Sequence, residues 1–433
     1  MASLQTAPTD NPLLFKRIRI TNPGDIESLF PLIAAYAEHP SLADSVEEFA
    51  IDLDPEHLRW STKSSTVPSR TIDDALYATI ETRVRSLGLG SVEEKVLGIL
   101  DKKRREEHRS FVSAAAVVLL AMCKNISRLY LGTFLFIGTG RGKPDPFKGL
   151  VGQFLKSLKL GQLSQPCLQK LQRIEMIDGH REYESYGMSD FTTPLFYFGH
   201  LPEFRELIAD GVAEYQNSPL PCEPRSANVT RIDIRHTDIG TKTVTALLEI
   251  PQQLEEFTLS LGGLWYVDGG TPSTNLGVYA EKLALHKETL KKLDLDLRAA
   301  ISENSWKEKE DDDRDTKETI GSLAEFQSLT HLSIYPQALL APPKRGQSDH
   351  LINALPPSLK YLCLYGYEKG RNPVLDRCVE ELMEKKGERL PLLEEVRGVD
   401  ETVQDIVGLY GDEDDWYEDG YRRPRRSFDW IRL

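Results

Sequence analysis

Thr289–Arg298 reads TLKKLDLDLR, and its spacing is leucine, two variable residues, leucine, one variable residue, leucine, set by Leu290, Leu293 and Leu295 and continued by Leu297. Successive side chains of an extended strand point to opposite faces, so Leu293, Leu295 and Leu297 share one face while Lys292, Asp294 and Asp296 share the other. The same spacing recurs at Phe15/Ile18/Ile20, Val46/Phe49/Ile51, Ile126/Leu129/Leu131, Leu171/Ile174/Met176, Phe204/Leu207/Ala209, Val229/Ile232/Ile234 and Leu254/Phe257/Leu259. After the opening copy it returns at Leu329/Leu332/Ile334, Leu359/Leu362/Leu364 and, in decayed form, Leu393/Val396.

A strand that buries one face needs a neighbour of the same kind, and repetition supplies it. Apart from the longer step between Val46 and Ile126, the copies follow one another at intervals of roughly 25 to 45 residues, longer than the commonest leucine-rich repeats of about 20 to 29. They predict an α/β leucine-rich-repeat solenoid over residues 14–400, with irregular repeats, a parallel concave sheet and outer helices. Residues 1–13 read as a disordered N-terminus, and 401–433 as a C-terminal helix with a charged and aromatic tail.

The segments between copies read as helices. Asp25 is placed to cap one that carries Ile26, Leu29, Phe30, Ile33 and Ala37 on one face, with Pro40 ending it. Residues 54–110 hold no copy and read as a helical insertion. One of its helices is opened by Thr71 and Asp74 and carries Leu76, Ile80 and Val84; the other is opened by Ser91 and Glu94 and carries Val92, Val96 and Leu100. FVSAAAVVLLAMCK, from Phe111, reads as a buried helix, and Phe147, Leu150, Val151, Phe154, Leu155 and Leu158 mark another. Val244, Leu247 and Leu248 mark a shorter one, and Thr271 and Pro272 are placed to start the helix of Leu276, Tyr279 and Leu283. SENSWKEKEDDDRDTKE, 302–318, reads as an acidic insertion, and the tail with Trp416, Phe428 and Trp430 as either an extension or a strip folded over the last repeat.

The formal charge of −14 over 433 residues opposes long-range attraction to nucleic acid and anionic membranes, so neither is an expected partner. The five cysteines contain no CxxC pair, which points away from a disulfide framework or zinc site. The N-terminus lacks a signal-peptide pattern, and no stretch reaches the roughly 18 apolar residues of a membrane helix, so the cytoplasm or nucleus is expected.

Chemical motifs are mostly near misses. GTGRGK, Gly138–Lys143, is one residue short of a phosphate loop and continues into Pro144 where a Ser or Thr would hold magnesium. Asp311, Asp313 and Asp315 imitate a calcium loop, yet Thr316 and Ser322 stand where glycine and glutamate are needed. His180, Glu182 and Glu184 read as a polar loop. No catalytic, cofactor or metal residue is assigned, and an enzyme with an unrecognised site is the weakest of the functional classes.

Partner binding is expected on the variable strand positions, which a parallel array turns to one face. These are Arg231, Asp233 and Arg235; Glu256 and Thr258; Lys292, Asp294 and Asp296; His331 and Tyr335; Tyr361 and Tyr365. Arg231, Glu256 and Lys292 would alternate in charge at about 4.8 Å, serving either a register-keeping ladder or a partner. The tyrosines fit either a binding hot spot or a cover over the end of the array.

The phrases IESLFPLIAAYAEHPSLADSVEEFAIDL (26–53) and FVSAAAVVLLAMCKNISRLYLG (111–132) resemble the leucine-rich-repeat portion of fungal F-box-like proteins. That resemblance implies a substrate-recognition subunit that hands a bound protein to a cullin-based ubiquitin ligase through an adaptor. The three-helix F-box, usually opened by Leu-Pro-x-Glu, is not expected here, because residues 1–13 leave no room ahead of the array. The expected function is a non-catalytic protein–protein interaction scaffold, with the ligase receptor as the alternative.

Overall fold

Each copy of the leucine spacing becomes a parallel strand in the computed structural model, which describes residues 16–20, 23–51, 72–105, 110–132, 149–177, 188–214, 222–261, 274–297, 319–340, 350–401 and 403. These residues belong to two compact units, one holding 16–177 and 200–204, the other 188–199 and 205–403. In the first, β1 (Arg17–Ile20), β2 (Glu48–Ile51), β3 (Arg128–Gly132) and β4 (Arg173–Ile177) lie parallel in chain order. Ile18, Phe49, Leu129 and Ile174 stand in one register row, and all are buried.

The second unit holds a two-residue pair, β5 (Met188–Ser189) with β7 (Ala213–Glu214), and a larger parallel set. That set is β6 (Glu206–Asp210), β8 (Arg231–Thr237), β9 (Glu256–Leu261), β10 (Lys292–Asp296), β11 (His331–Ile334), β12 (Tyr361–Leu364) and β13 (Glu395–Arg397), again in chain order. Leu207, Ile232, Phe257, Leu293, Leu332 and Leu362 make its first apolar row, none more than 2% exposed.

A repeated hydrogen-bond device fixes the register. The two N–H groups at the entry of each strand converge on one carbonyl of the strand before. Glu255 and Glu256 donate to Thr230 O (2.7 and 3.0 Å), Lys291 and Lys292 to Glu255 O (2.7 and 3.0 Å), and Thr330 and His331 to Lys291 O (2.9 and 3.0 Å). Lys360 with Tyr361, and Glu394 with Glu395, continue the pattern, and Ser127 with Arg128 show it in the first unit. A slip of one residue would turn every leucine outward, so backbone and side-chain patterns enforce the same pairing.

The helices carry the matching apolar faces. In the first unit these are α1 (Pro23–Glu38), α2 (Pro40–Ala43), α3 (Asp74–Ser86), α4 (Glu93–Arg105), α5 (Phe111–Met122) and α6 (Leu150–Lys159). Only Ser113 of α5 escapes full burial, as its apolar sequence requires. Three capping expectations differ from the structure. Asp25 lies inside the first turn of α1, held by Arg19 (Nη2 to Oδ1 3.2 Å), and α3 is capped by Asp73, whose Oδ1 accepts the Leu76 N–H at 2.8 Å. Ser91 sits in a short 3-10 turn ahead of α4 rather than at its cap.

In the second unit the helices are α7 (Thr193–Phe198), α8 (Thr241–Glu249), α9 (Leu276–Leu283), α10 (Pro336–Leu339), α11 (Leu351–Ala354) and α12 (Pro373–Arg389). Asn275 caps α9 by accepting the Val278 N–H, while Thr271 and Pro272 lie outside the described residues. So do 302–318, the tail, GTGRGK, His180 with its glutamates, and the three aspartates of the calcium-like stretch. Among the described residues no helix is long and apolar enough to cross a membrane.

The last strand depends on one glycine. Gly398 has φ +83°, and a Cβ there would stand 2.2 Å from Leu364 O. Gly398→Ala is therefore expected to cost more than ~1 kcal/mol and to lower the thermal unfolding midpoint, whereas an unchanged midpoint would mean that β13 contributes nothing to the fold.

Candidate functional site

One face of the seven parallel strands is polar, and register divides it into rows. The strand-entry row runs Glu206, Arg231, Glu256, Lys292, His331, Tyr361, Glu395, each residue the register partner of the next. None of the seven is buried. Arg231, Glu256 and Lys292 thus stand side by side with alternating sign, and Arg231 Nε lies 3.5 Å from Glu256 Oε2. Next along the row, His331 stacks on Tyr361 with ring centroids 4.4 Å apart and planes 27° off parallel. The Tyr361 hydroxyl donates to Glu394 Oε2 at 3.1 Å.

The next rows are different. Asp233 and Thr258 are each 4% exposed, Asp294 is 9%, Asp296 0%, Tyr335 5% and Tyr365 7%. The expectation that these side chains offer a surface is corrected by their burial. They form a satisfied polar layer: Tyr365 reaches across β11 to donate to Asp294 Oδ1 at 2.8 Å, and the hydroxyls of Tyr335 and Ser260 both donate to Asp296 at 3.2 Å. Arg235, only partly exposed, donates to both oxygens of Asp233 (Nε to Oδ1 2.7 Å, Nη2 to Oδ2 3.1 Å). The Tyr335 and Tyr365 rings lie 5.8 Å apart. A hydroxyl that donates to a buried carboxylate removes the penalty of burying it alone, which explains why these aspartates can sit on a packed face.

Burial dominates the electrostatics of this layer. It raises the Asp294 carboxyl above its ordinary range, while the hydrogen bond from Tyr365 and the charges of Lys292 and Arg235 pull it partly back. Burial and the neighbouring Asp294 together push the Tyr365 phenol far up, and burial carries the Cys363 thiol to about 11. Around Arg235 burial opposes the charge, but Asp233 more than offsets it and the guanidinium pKa is raised.

Two features escaped the sequence reading. His236 lies in a bulge of β8 at φ +48°, fully buried, with Nδ1 2.6 Å from Asp210 Oδ1. Glu214 of β7 reaches the start of α8, where it accepts the Gly240 N–H at 2.7 Å and the Thr243 hydroxyl; burial raises its pKa. Nothing in local sequence marks either, because each joins residues 26 or more positions apart. Glu206, the second variable residue after Phe204, holds the place in its copy that Arg231 holds in the Val229 copy.

Among the described residues no group of three or more histidine, cysteine, aspartate or glutamate side chains is placed to hold a metal ion. No family model matches the chain, and no curated protein and no solved structure is similar to it. The geometry itself is a half-exposed row of paired and unpaired charges beside an aromatic stack, laid over a buried polar layer.

Proposed function

We propose that each unit is an irregular leucine-rich-repeat array and that the protein is a non-catalytic interaction scaffold which receives a protein partner on the strand-entry row of the second unit. The observation that carries this reading is the row itself. Seven register neighbours keep polar or aromatic groups at the surface while the layer beside them is buried and internally hydrogen-bonded. A rigid backbone that presents alternating charge and a flat aromatic pair gives a partner both orientation and contact area at little ordering cost.

The contact residues on this reading are Arg231, Glu256, Lys292, His331 and Tyr361, while Asp233, Thr258, Asp294, Asp296, Tyr335 and Tyr365 hold the row in place from below. Affinity capture from cells with quantitative mass spectrometry tests it. The variant Lys292→Ala/His331→Ala/Tyr361→Ala is expected to lose the proteins that the parent retains while keeping the parent's unfolding midpoint. Retention of the same proteins by that folded variant would remove the row as the binding surface. Changing Tyr335 or Tyr365 would not make this test, because both act through packing.

A further inference from the structure

The row, and the residues one position before it at β10 and β12, are not uniform in how their charges are used. Arg231 has Asp233 and Glu256 as partners, each at 3.5 Å, and Lys291 is paired with Glu255 at 2.7 Å. Among the described residues Lys292 and Lys360 have neither an ion pair nor a side-chain hydrogen bond, and the charge of each lowers the His331 pKa. Lys292 is the register neighbour of His331 on β10, and Lys360 directly precedes its other neighbour, Tyr361, on a protein whose formal charge is −14.

The hydrogen bonds fix what that imidazole offers. Thr330 Oγ1 lies 3.1 Å from Lys291 O, which can only accept, so the single hydroxyl hydrogen is spent there. The contact between Thr330 Oγ1 and His331 Nδ1, at 2.9 Å, then needs the ring to donate. Neutral His331 accordingly carries its proton on Nδ1, and its Nε2 is a free acceptor on an exposed ring. Stacking on Tyr361, itself tied to Glu394, holds the ring in that orientation. The groups facing His331 are Lys292 on β10, Glu256 on β9, Lys360 and Tyr361 at β12 and Glu394 before β13. Partial desolvation of the ring and the two lysines lower its pKa, and the two glutamates oppose them.

We infer that Lys292, Lys360 and His331 form the anchor of the partner face, and that it takes an acidic segment of a protein, with proton uptake by His331 accompanying binding. This rests on the reading of the row as a partner face and specifies its chemistry. A carboxylate brought between the two lysines offsets their contribution to the lowered pKa and itself favours the charged ring, so Nε2 gains a proton and becomes a third donor. By linkage, a bound state that holds one more proton than the free state binds more tightly as pH falls.

Fluorescence anisotropy with a labelled peptide of about twelve residues alternating glutamate and serine tests the anchor on the full chain, against a glutamine–serine control and oligothymidylate. The acidic peptide is expected to bind, several-fold more tightly at about pH 6 than at about pH 7.5. Lys292→Ala/Lys360→Ala is expected to weaken it about tenfold, and His331→Gln to abolish the pH dependence while leaving binding at the higher pH near that of the parent. Absence of binding, equal binding by the double variant, pH-independent affinity in the parent, or equal competition by oligothymidylate would each overturn the proposal. If the peptide fails while the row variant still loses its cellular partners, the face stands and only its acidic-segment chemistry falls.

Discussion

Leu293→Ala is expected to lower the unfolding free energy by ~2–5 kcal/mol, whereas Lys292→Ala, one residue away, changes it by no more than ~0.5 kcal/mol. The contrast follows from the pleat. Leu293 is 0% exposed between Phe257 on β9 and Leu332 on β11, so truncation leaves a cavity in a row that close neighbours cannot fill. Lys292 stands on the opposite face with no ion pair to lose among the described residues. Urea unfolding followed by circular dichroism reads both values, and comparable losses for the two variants would mean that β10 does not have one buried and one open face.

The second large effect concerns pH. Burial raises the Asp294 carboxyl in the folded state, so the native protein holds this proton more tightly than the unfolded chain does. The associated stability is fully present below the unfolded-state value of about 3.9 and is lost as pH rises through the native pKa. Asp294→Asn keeps an acceptor for Tyr365 without the charge, and it is expected to flatten that decline. Tyr365→Phe removes the donor at 2.8 Å, costs ~1–3 kcal/mol at neutral pH and steepens the decline. Glu214, raised by burial in the same direction, supplies a residual slope that Asp294→Asn leaves in place. Unfolding free energies measured across a pH series decide it, and identical slopes for parent and Asp294→Asn would contradict the account.

Much of the strand architecture was readable because its cause is local. Leu290, Leu293 and Leu295 repeat a pattern that only a strand with one buried face satisfies, and the decayed copy at Leu393 and Val396 still forms β13, with both side chains half-buried at the end of the set. The short pair β5–β7 was invisible, since two residues carry no periodicity. Cap positions were shifted by a few residues: Thr71 and Ser91 fit the capping pattern, but Asp73 occupies the cap position of α3 and accepts its orphan N–H, and Ser91 lies in a 3-10 turn.

The partner face was half legible for the same reason. Alternation tells which side of β10 Lys292, Asp294 and Asp296 take, and all three do share a face. It cannot tell that the face becomes buried two residues further along, because the tyrosine that pairs with Asp294 comes directly after β12, 71 positions later in the chain. Tyr361 and Tyr365 look equivalent in sequence, yet one is half-exposed and the other is 7% exposed.

The account's central claim is that the strand-entry row, with Lys360 directly before Tyr361, meets the partner. Amine-reactive footprinting with mass spectrometry, on the free protein and on its complex with a captured protein, measures this directly. The prediction is that Lys292 and Lys360 lose reactivity in the complex while Lys369, exposed beyond β12, keeps its own. Undiminished labelling of Lys292 and Lys360 in an intact complex would contradict it.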